Sequence, residues 1–372
     1  MALTNKLSAI GDAIREKTGK TGLMTLDAMP AEIASITTGS GGGGGAEVEP
    51  VVLTGDCKYL FTNDMTIQYL KLFGDTISTE NITNATNMFQ HKEVEEIPFD
   101  LNFTPTALTG VSAMFQDAQN LKSIGAFRNL NVGTANYMFS GCNNLRYLPE
   151  FIDCGNMTTT SNTSNRSQMF TNCQSLREIP ADVLNLFVNK LCNRDYYAFY
   201  YQGFRDCWAL NELVGIPVIT ADLTSNAFSM TVDNCRRLKN FIFETNEDGT
   251  PISVNWKNQT INLASQVGYG FASHLTKNSG ITADKHVYDA ETYRVLKNDP
   301  DWFANTTGYS RYNHNSAVAT INSLPDTSAS GGVNTIKFYG VGGAKTDGGG
   351  PEKLTATEIA VATAKGWTVS LV

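Results

Sequence analysis

The sequence predicts an α/β solenoid, in which short helix-turn-strand units stack so that their strands form a parallel sheet, preceded by a small αα-hairpin. Two observations predict the array. The frame Met138-Phe-Ser-Gly-Cys-Asn-Asn-Leu-Arg-Tyr-Leu-Pro149 recurs along the middle of the chain, with steps of 26, 24, 31 and 34 residues counted on Met88, Met114, Met138, Met169 and Gly203. Each copy also carries apolar residues that one short unit cannot bury alone, so neighbours must supply the core. A third observation, two amphipathic stretches ahead of a glycine run, predicts the hairpin.

Residues 3–17 place Leu3, Leu7, Ile10 and Ile14 on one helical stripe, and Gly19 follows as a left-handed cap. A second helix is expected from Asp27 to Ile36, with Asp27 as N-cap, Pro30 in the first turn, and Met29, Ile33 and Ile36 on its apolar face. Such a hairpin over 1–36 falls below the ~40 residues at which a domain usually stands alone. It either packs on its own chain or buries its stripe in another subunit. Residues 37–50 include the run Gly41 to Gly45, a flexible tether that uncouples what it joins. That favours the second reading, an anchor.

Residues 51–245 are read as the repeat array with its N-terminal cap. The cap is expected over 51–73, with a strand from Val51 to Leu53 and a helix from about Thr66 to Phe73. With the methionine of each copy as position zero, apolar residues fall at −6, −3, 0, +1, +4, +7 and +10, as in Leu108, Val111, Met114, Phe115, Ala118, Leu121 and Ile124. The first half fits one or two helical turns and the second a brief strand. Two edited copies flank the clear ones. Met88-Phe89 lacks one residue before Val94, and Phe228 is read as the phenylalanine of a last copy with four extra residues before Cys235. About eight rungs at ~4.8 Å would give a sheet roughly 40 Å long.

Cys142, Cys173, Cys207 and Cys235 hold one repeat position, where another copy has Ala118. A small apolar side chain is what that position demands, and a buried free cysteine behaves as one. Disulfides or a metal are the alternatives, but no Cys-x-x-Cys exists and a period near 30 residues is wrong for zinc.

The Met-Phe-x-x-Cys-x-x-Leu-x-x-Leu-Pro frame resembles the leucine-rich-repeat variant of bacterial surface proteins. The segment Leu7 to Lys20 with Leu26 to Ile33 resembles the N-terminal module of tail and other virion proteins in phages of Gram-positive bacteria. These resemblances span most of residues 3–243 and imply a leucine-rich-repeat solenoid carried on a virion. The steps at Cys173 and Cys207 depart from that family's period, so regular curvature is not expected there.

Two insertions interrupt the copies. Residues 156–168 are almost wholly Thr, Ser, Asn and Arg, an exposed loop. Residues 194–204 hold six aromatics, of which Tyr197, Tyr200 and Phe204 fall on inward positions. Tyr196 and Tyr201 are the candidates for exposure and for receptor contact, because tyrosine is a low-entropy anchor. Residues 246–372 are read as degenerate repeats and a C-terminal cap. Helices are expected over 289–297, 316–324 and 355–365, the last opened by the capping box Thr355 to Glu358, and strands over 335–338 and 367–372. The closing segment from Glu358 also resembles ends seen on phage-borne repeat proteins.

The net charge of −8 with scattered Lys and Arg argues against nucleic acid, and no apolar run approaches the ~18–20 residues of a membrane span. No secretory h-region is expected at the start. The histidines at 91, 274, 286 and 314 lack ligand-spaced neighbours, and 340–346 fails as a phosphate loop because Ala344 precedes Lys345 and Tyr339 stands where a glycine is required. Glu93, Glu95, Glu96 and Asp100 fit a solvated edge better than paired glycosidase carboxylates. No cofactor, metal or catalysis is expected. The expected function is that of a phage virion structural protein, a tail-fibre or receptor-binding component assembled in the host cytoplasm. Residues 1–36 would dock to other virion proteins, and the solenoid would recognise a host-surface protein or glycan in several copies per particle. The alternative is a purely structural head or baseplate decoration.

Overall fold

The computed structural model describes residues 51–73, 77–104, 109–131, 134–155, 167–188, 190–191, 199–224, 226–235, 237–264, 275–277, 286–288, 313–338 and 353–372. The expected hairpin, the tether and the helix at 289–297 lie outside these residues, as do 156–166 and 340–346. What is described is a mixed α/β chain of short parallel strand pairs with few helices and one hydrophobic core running from Leu53 to Trp367.

Hydrogen bonds between copies organise the repeats. Phe61, Phe89, Phe115, Phe139, Phe170 and Phe204 each donate their backbone N–H to the carbonyl of the next copy's position zero, at 2.8–3.0 Å. Those acceptors are Met88, Met114, Met138, Met169, Gly203 and Thr231. The N–H groups at −3, −1 and +3 do likewise in the copy around Met114, where Val111 pairs with Thr134, Ala113 with Asn136 and Asp117 with Ser140. Alternate residues therefore pair forward as in a parallel ladder, although the local chain is a series of tight turns.

This pairing overturns the expected helical turns. Position −1 is left-handed in every copy: Tyr59, Asn87, Ala113, Tyr137, Gln168, Gln202 and Met230 have φ between 52° and 58°. One left-handed residue breaks the run of right-handed dihedrals that an α-helix requires. Alternate N–H groups go to the neighbouring copy, while those between them close tight turns within the copy, as Met114 to Val111 and Gln116 to Ala113. A helix between two copies, Ala181–Phe187, starts after Pro180 and buries Val183, Leu184, Leu186 and Phe187. Sequence reading missed it, although those apolar spacings were visible.

Brief parallel strands do form in the second half of the copies. Glu96–Ile97 pairs with Ser123–Ile124, and Glu212–Ile216 pairs with Asn240–Phe243. A second row links Leu101–Asn102, Phe127–Arg128 and Phe151–Ile152. These are separate two- and three-stranded sheets, so the described residues do not form the single long sheet expected. Between two of these pairs Gly125 lies so close to the Phe99 backbone that a Cβ there would meet the Phe99 carbonyl oxygen at 2.1 Å.

The ladder also corrects two registers. Leu60-Phe61 is itself a rung, because the Phe61 ring stacks on Phe89 at 5.2 Å and its N–H reaches Met88. The expected cap therefore contains a repeat, carried by the strand Val51–Asp56 and followed by the helix Asp64–Phe73. At the other end, Phe204 pairs with Thr231, so Thr231 is position zero and Val232 takes the phenylalanine position. Phe228 sits at −3 and stacks on Tyr200 at 5.0 Å. No insertion exists there. The Phe-to-Cys spacing of the other copies, matched by Val232 and Cys235, was the signal for this register.

The core is an aromatic column. Successive rings from Phe61 to Phe204 lie 5.2–5.9 Å apart and within 10° of parallel. Phe127 packs edge-on against Phe115 and Phe139, and stacks on Phe151 at 5.1 Å. Beside the column runs a row of thiols. Cys142, Cys173, Cys207 and Cys235 donate S–H to the carbonyls of Phe115, Phe139, Phe170 and Phe204, at 2.9–3.2 Å. That bond explains why cysteine can replace the Ala118 type, since it uses the spare lone pair of each phenylalanine carbonyl.

All six described cysteines are free thiols. Burial pushes the four of the row well above the ordinary thiol pKa, so little thiolate exists to react. These four are expected to resist maleimide in the native protein and to label only on global unfolding, with half-buried Cys154 modified first among the described thiols. Peptide mass spectrometry of native labelling checks this, and early modification of Cys173 would refute it.

Beyond residue 245 the expected elements appear with small shifts. The helix His314–Ser323 is capped by Asn313, whose side chain accepts from the Ser316 N–H. It packs on Asn240–Phe243, where Thr320 Oγ1 donates to the Phe241 carbonyl at 2.8 Å. Strands Thr260–Asn262, Asn334–Phe338 and Trp367–Leu371 form a parallel sheet in that order. The capping box of Thr355 and Glu358 opens the helix Ala356–Ala364. Trp256 and Trp367 extend the aromatic core, each donating its indole N–H to a carbonyl, of Ile219 and of Pro325.

Candidate functional site

The ladder sorts each copy into core positions and column positions. Positions −3, 0, +1, +4 and +7 are buried, as in Ala135, Met138, Phe139, Cys142 and Leu145, all 0 % exposed. Positions −2, −1 and +2 form three columns along the stack, half-buried at Thr86, Asn87, Gln90, Ser112, Gln116, Asn136, Tyr137 and Gln168 and buried at Ala113, Ser140, Ser167 and Thr171.

Across the four copies from Met88 to Met169, none of these residues is charged. Thr86, Ser112, Asn136 and Ser167 make the −2 column, and Asn87, Ala113, Tyr137 and Gln168 make the −1 column. Gln90, Gln116, Ser140 and Thr171 make the +2 column. Many of their polar groups pair with one another, within a copy or along the stack. Asn87 Nδ2 donates to Gln90 Oε1 at 2.8 Å, Gln90 Nε2 to Gln116 Oε1 at 3.4 Å, and Ser112 Oγ to Asn136 Oδ1 at 2.6 Å. Further on, Gln168 bonds to Gln202, and Gln202 Nε2 reaches the Met230 sulfur at 3.3 Å. Charges return only on the outer rungs, at Lys58, Arg205 and Asp233.

The strand edge of the same copies is different. Lys122 pairs with Glu95 at 3.4 Å and Arg128 with Asp100 at 2.6 Å, both across adjacent copies. The guanidinium hydrogen bond holds the Asp100 carboxyl below the usual carboxylate range. Asp100 is thus tied into an exposed ion pair, and Glu93 lies 3.9 Å from Lys92. His91 occupies the small-residue position of the shortened copy and lies 3.3 Å from Asp64, while His314 lies 3.1 Å from Glu358. Among the described residues no group of three or more metal-ligating side chains converges, and no helix is long and apolar enough to cross a membrane.

Of the residues singled out from sequence, Leu3, Leu7, Ile10, Ile14, Met29, Ile33 and Tyr196 lie outside the described residues. Tyr201 is half-buried rather than fully exposed, in the −2 column. Tyr200 and Phe204 are buried as expected, and Phe199 is buried with them at 3 % exposure. The Tyr200 hydroxyl donates to the Pro217 carbonyl at 2.8 Å, and burial pushes its pKa well up. Sequence reasoning missed the columns. Their signal was the lack of charge at −2, −1 and +2, visible once the copies are aligned on the methionine. No protein-family model, curated protein or solved structure matches this chain.

Proposed function

We propose that the repeats form a leucine-rich-repeat-type solenoid in a phage virion protein, a tail-fibre or receptor-binding component that meets a host-surface protein or glycan. The observation that carries this reading is the division within each copy. The recurring Met, Phe, Cys and Leu residues are consumed by the core, while most of the residues that differ between copies keep part of their surface accessible, in columns. Such a scaffold presents a changeable surface without altering its packing, which suits recognition. The resemblance of 7–33 to phage virion modules supports the placement on a particle. Binding alone performs this role, and several copies per particle raise the effective concentration of the binding face.

Deleting residues 1–36 is expected to leave the repeats folded, with an unchanged melting transition, and to abolish incorporation into particles. Immunoblotting purified particles for the truncated chain reads the result. Particles that still carry it at parental levels would sink the anchor.

A further inference from the structure

We infer that the uncharged outer strip between Thr86 and Thr171 binds a neutral glycan, with Gln116, Asn136 and Tyr137 at its centre. This deepens the receptor-binding reading and rests on it.

The absence of charge is the first argument. Well-behaved protein surfaces are roughly 25–35% charged, yet the eight half-buried residues of these columns carry no charge, and neither do the four buried ones, Ala113, Ser140, Ser167 and Thr171. Anionic polymers are held by Lys and Arg, which these rows lack. Asp117, exposed one position beyond Gln116, repels anions further and offers an acceptor for a sugar hydroxyl. A protein partner would call for a desolvated aromatic or arginine cluster, and the strip has one tyrosine set among amides and hydroxyls.

Open hydrogen-bonding capacity is the second argument. Gln116 accepts from Gln90 through Oε1, and its two amide N–H donors have no partner among the described residues. Asn136 accepts from Ser112 through Oδ1, which leaves Nδ2 free in the same sense. The Tyr137 hydroxyl also bonds to nothing described; its ring is half-buried, and its neighbour in the column, Ala113, is a buried methyl group. Amide donors, a phenol and the accessible part of its ring together match a sugar, whose hydroxyls donate and accept and whose C–H face is apolar. Adjacent rungs are 5.3–5.5 Å apart by their core rings, so successive rungs offer polar groups at a spacing comparable to one pyranose.

The full chain is tested on immobilised glucan, mannan and galactan, with hyaluronan as the anionic polymer, and on a panel of bacterial strains. Binding to at least one neutral polymer and not to hyaluronan is expected. Tyr137→Ala and Gln116→Lys should each weaken it about tenfold or more, with melting temperatures unchanged. Tyr147→Ala, on the charged edge and 54 % exposed, should bind like the parent. Cell attachment should be lost after periodate treatment of the cells and kept after protease treatment. Equal binding to hyaluronan, or parental binding by both strip variants, overturns the inference. Attachment removed by protease but not by periodate also overturns it and leaves the receptor-binding reading standing. No attachment to any polymer or strain sinks both.

Discussion

Gly125→Ala is expected to lower stability by about 3 kcal/mol, at the upper end of what overpacking usually costs. A methyl group there would lie 2.1 Å from the Phe99 carbonyl oxygen, 2.4 Å from its carbon and 2.9 Å from the Asp100 nitrogen. All three are backbone atoms and none can rotate away. Retreat of the chain is blocked on both sides. The Gly125 N–H is bonded to Ile97 at 2.8 Å, and the Ala126 carbonyl accepts from Leu101 at 2.8 Å. The comparison is Gly249→Ala, where φ is +79° but nothing lies within 4 Å. That variant should lose only the ~1–2 kcal/mol of a left-handed L-residue. Urea unfolding followed by tryptophan fluorescence compares the two. If Gly125→Ala unfolds at or above the urea midpoint of Gly249→Ala, the close approach is not rigid.

Phe115→Ala should cost about 3–5 kcal/mol, the range for deleting a buried phenylalanine. Its ring is fully buried, stacked 5.3 Å from Phe89 and 5.5 Å from Phe139, and edge-on to Phe127 at 6.1 Å. Neither neighbour can collapse into the hole, because each is held at its own spacing by a backbone bond to the next copy. Phe139→Ala should be similar alone, while the double variant should lose less than the sum because the two cavities merge. A strictly additive pair, measured by the same unfolding midpoints, would mean the rings act independently and the column is not a cooperative unit.

Much of this architecture was legible because the core repeats. Met138, Phe139, Cys142 and Leu145 announce their burial by recurring, and the capping box at Thr355 and Glu358 announces a helix by local chemistry. The helical turns expected around each methionine were wrong for a physical reason. Apolar spacing of three and four does not distinguish a helix from turns that contain one left-handed residue, and Ala113 or Tyr137 gives no hint of such a conformation. Phe228 misled through its identity. An aromatic residue near the right place outweighed the spacing to Cys235, whereas the backbone ladder follows spacing alone. The columns are less conspicuous in sequence than the aromatic run at 194–204, where three of the rings, Phe199, Tyr200 and Phe204, serve the core.

The bond from each phenylalanine to the next position zero stays at 2.8–3.0 Å whatever length of chain separates them. Those separations run from 24 residues between Met114 and Met138 to 34 between Met169 and Gly203. Doubling the length of a flexible loop adds only about 0.6 kcal/mol of closure entropy. The connections between rungs are therefore a cheap place for a lineage to experiment. Residues can be gained or lost there without shifting a neighbour out of register, so new surface can be tried one copy at a time while the column beneath it is inherited intact.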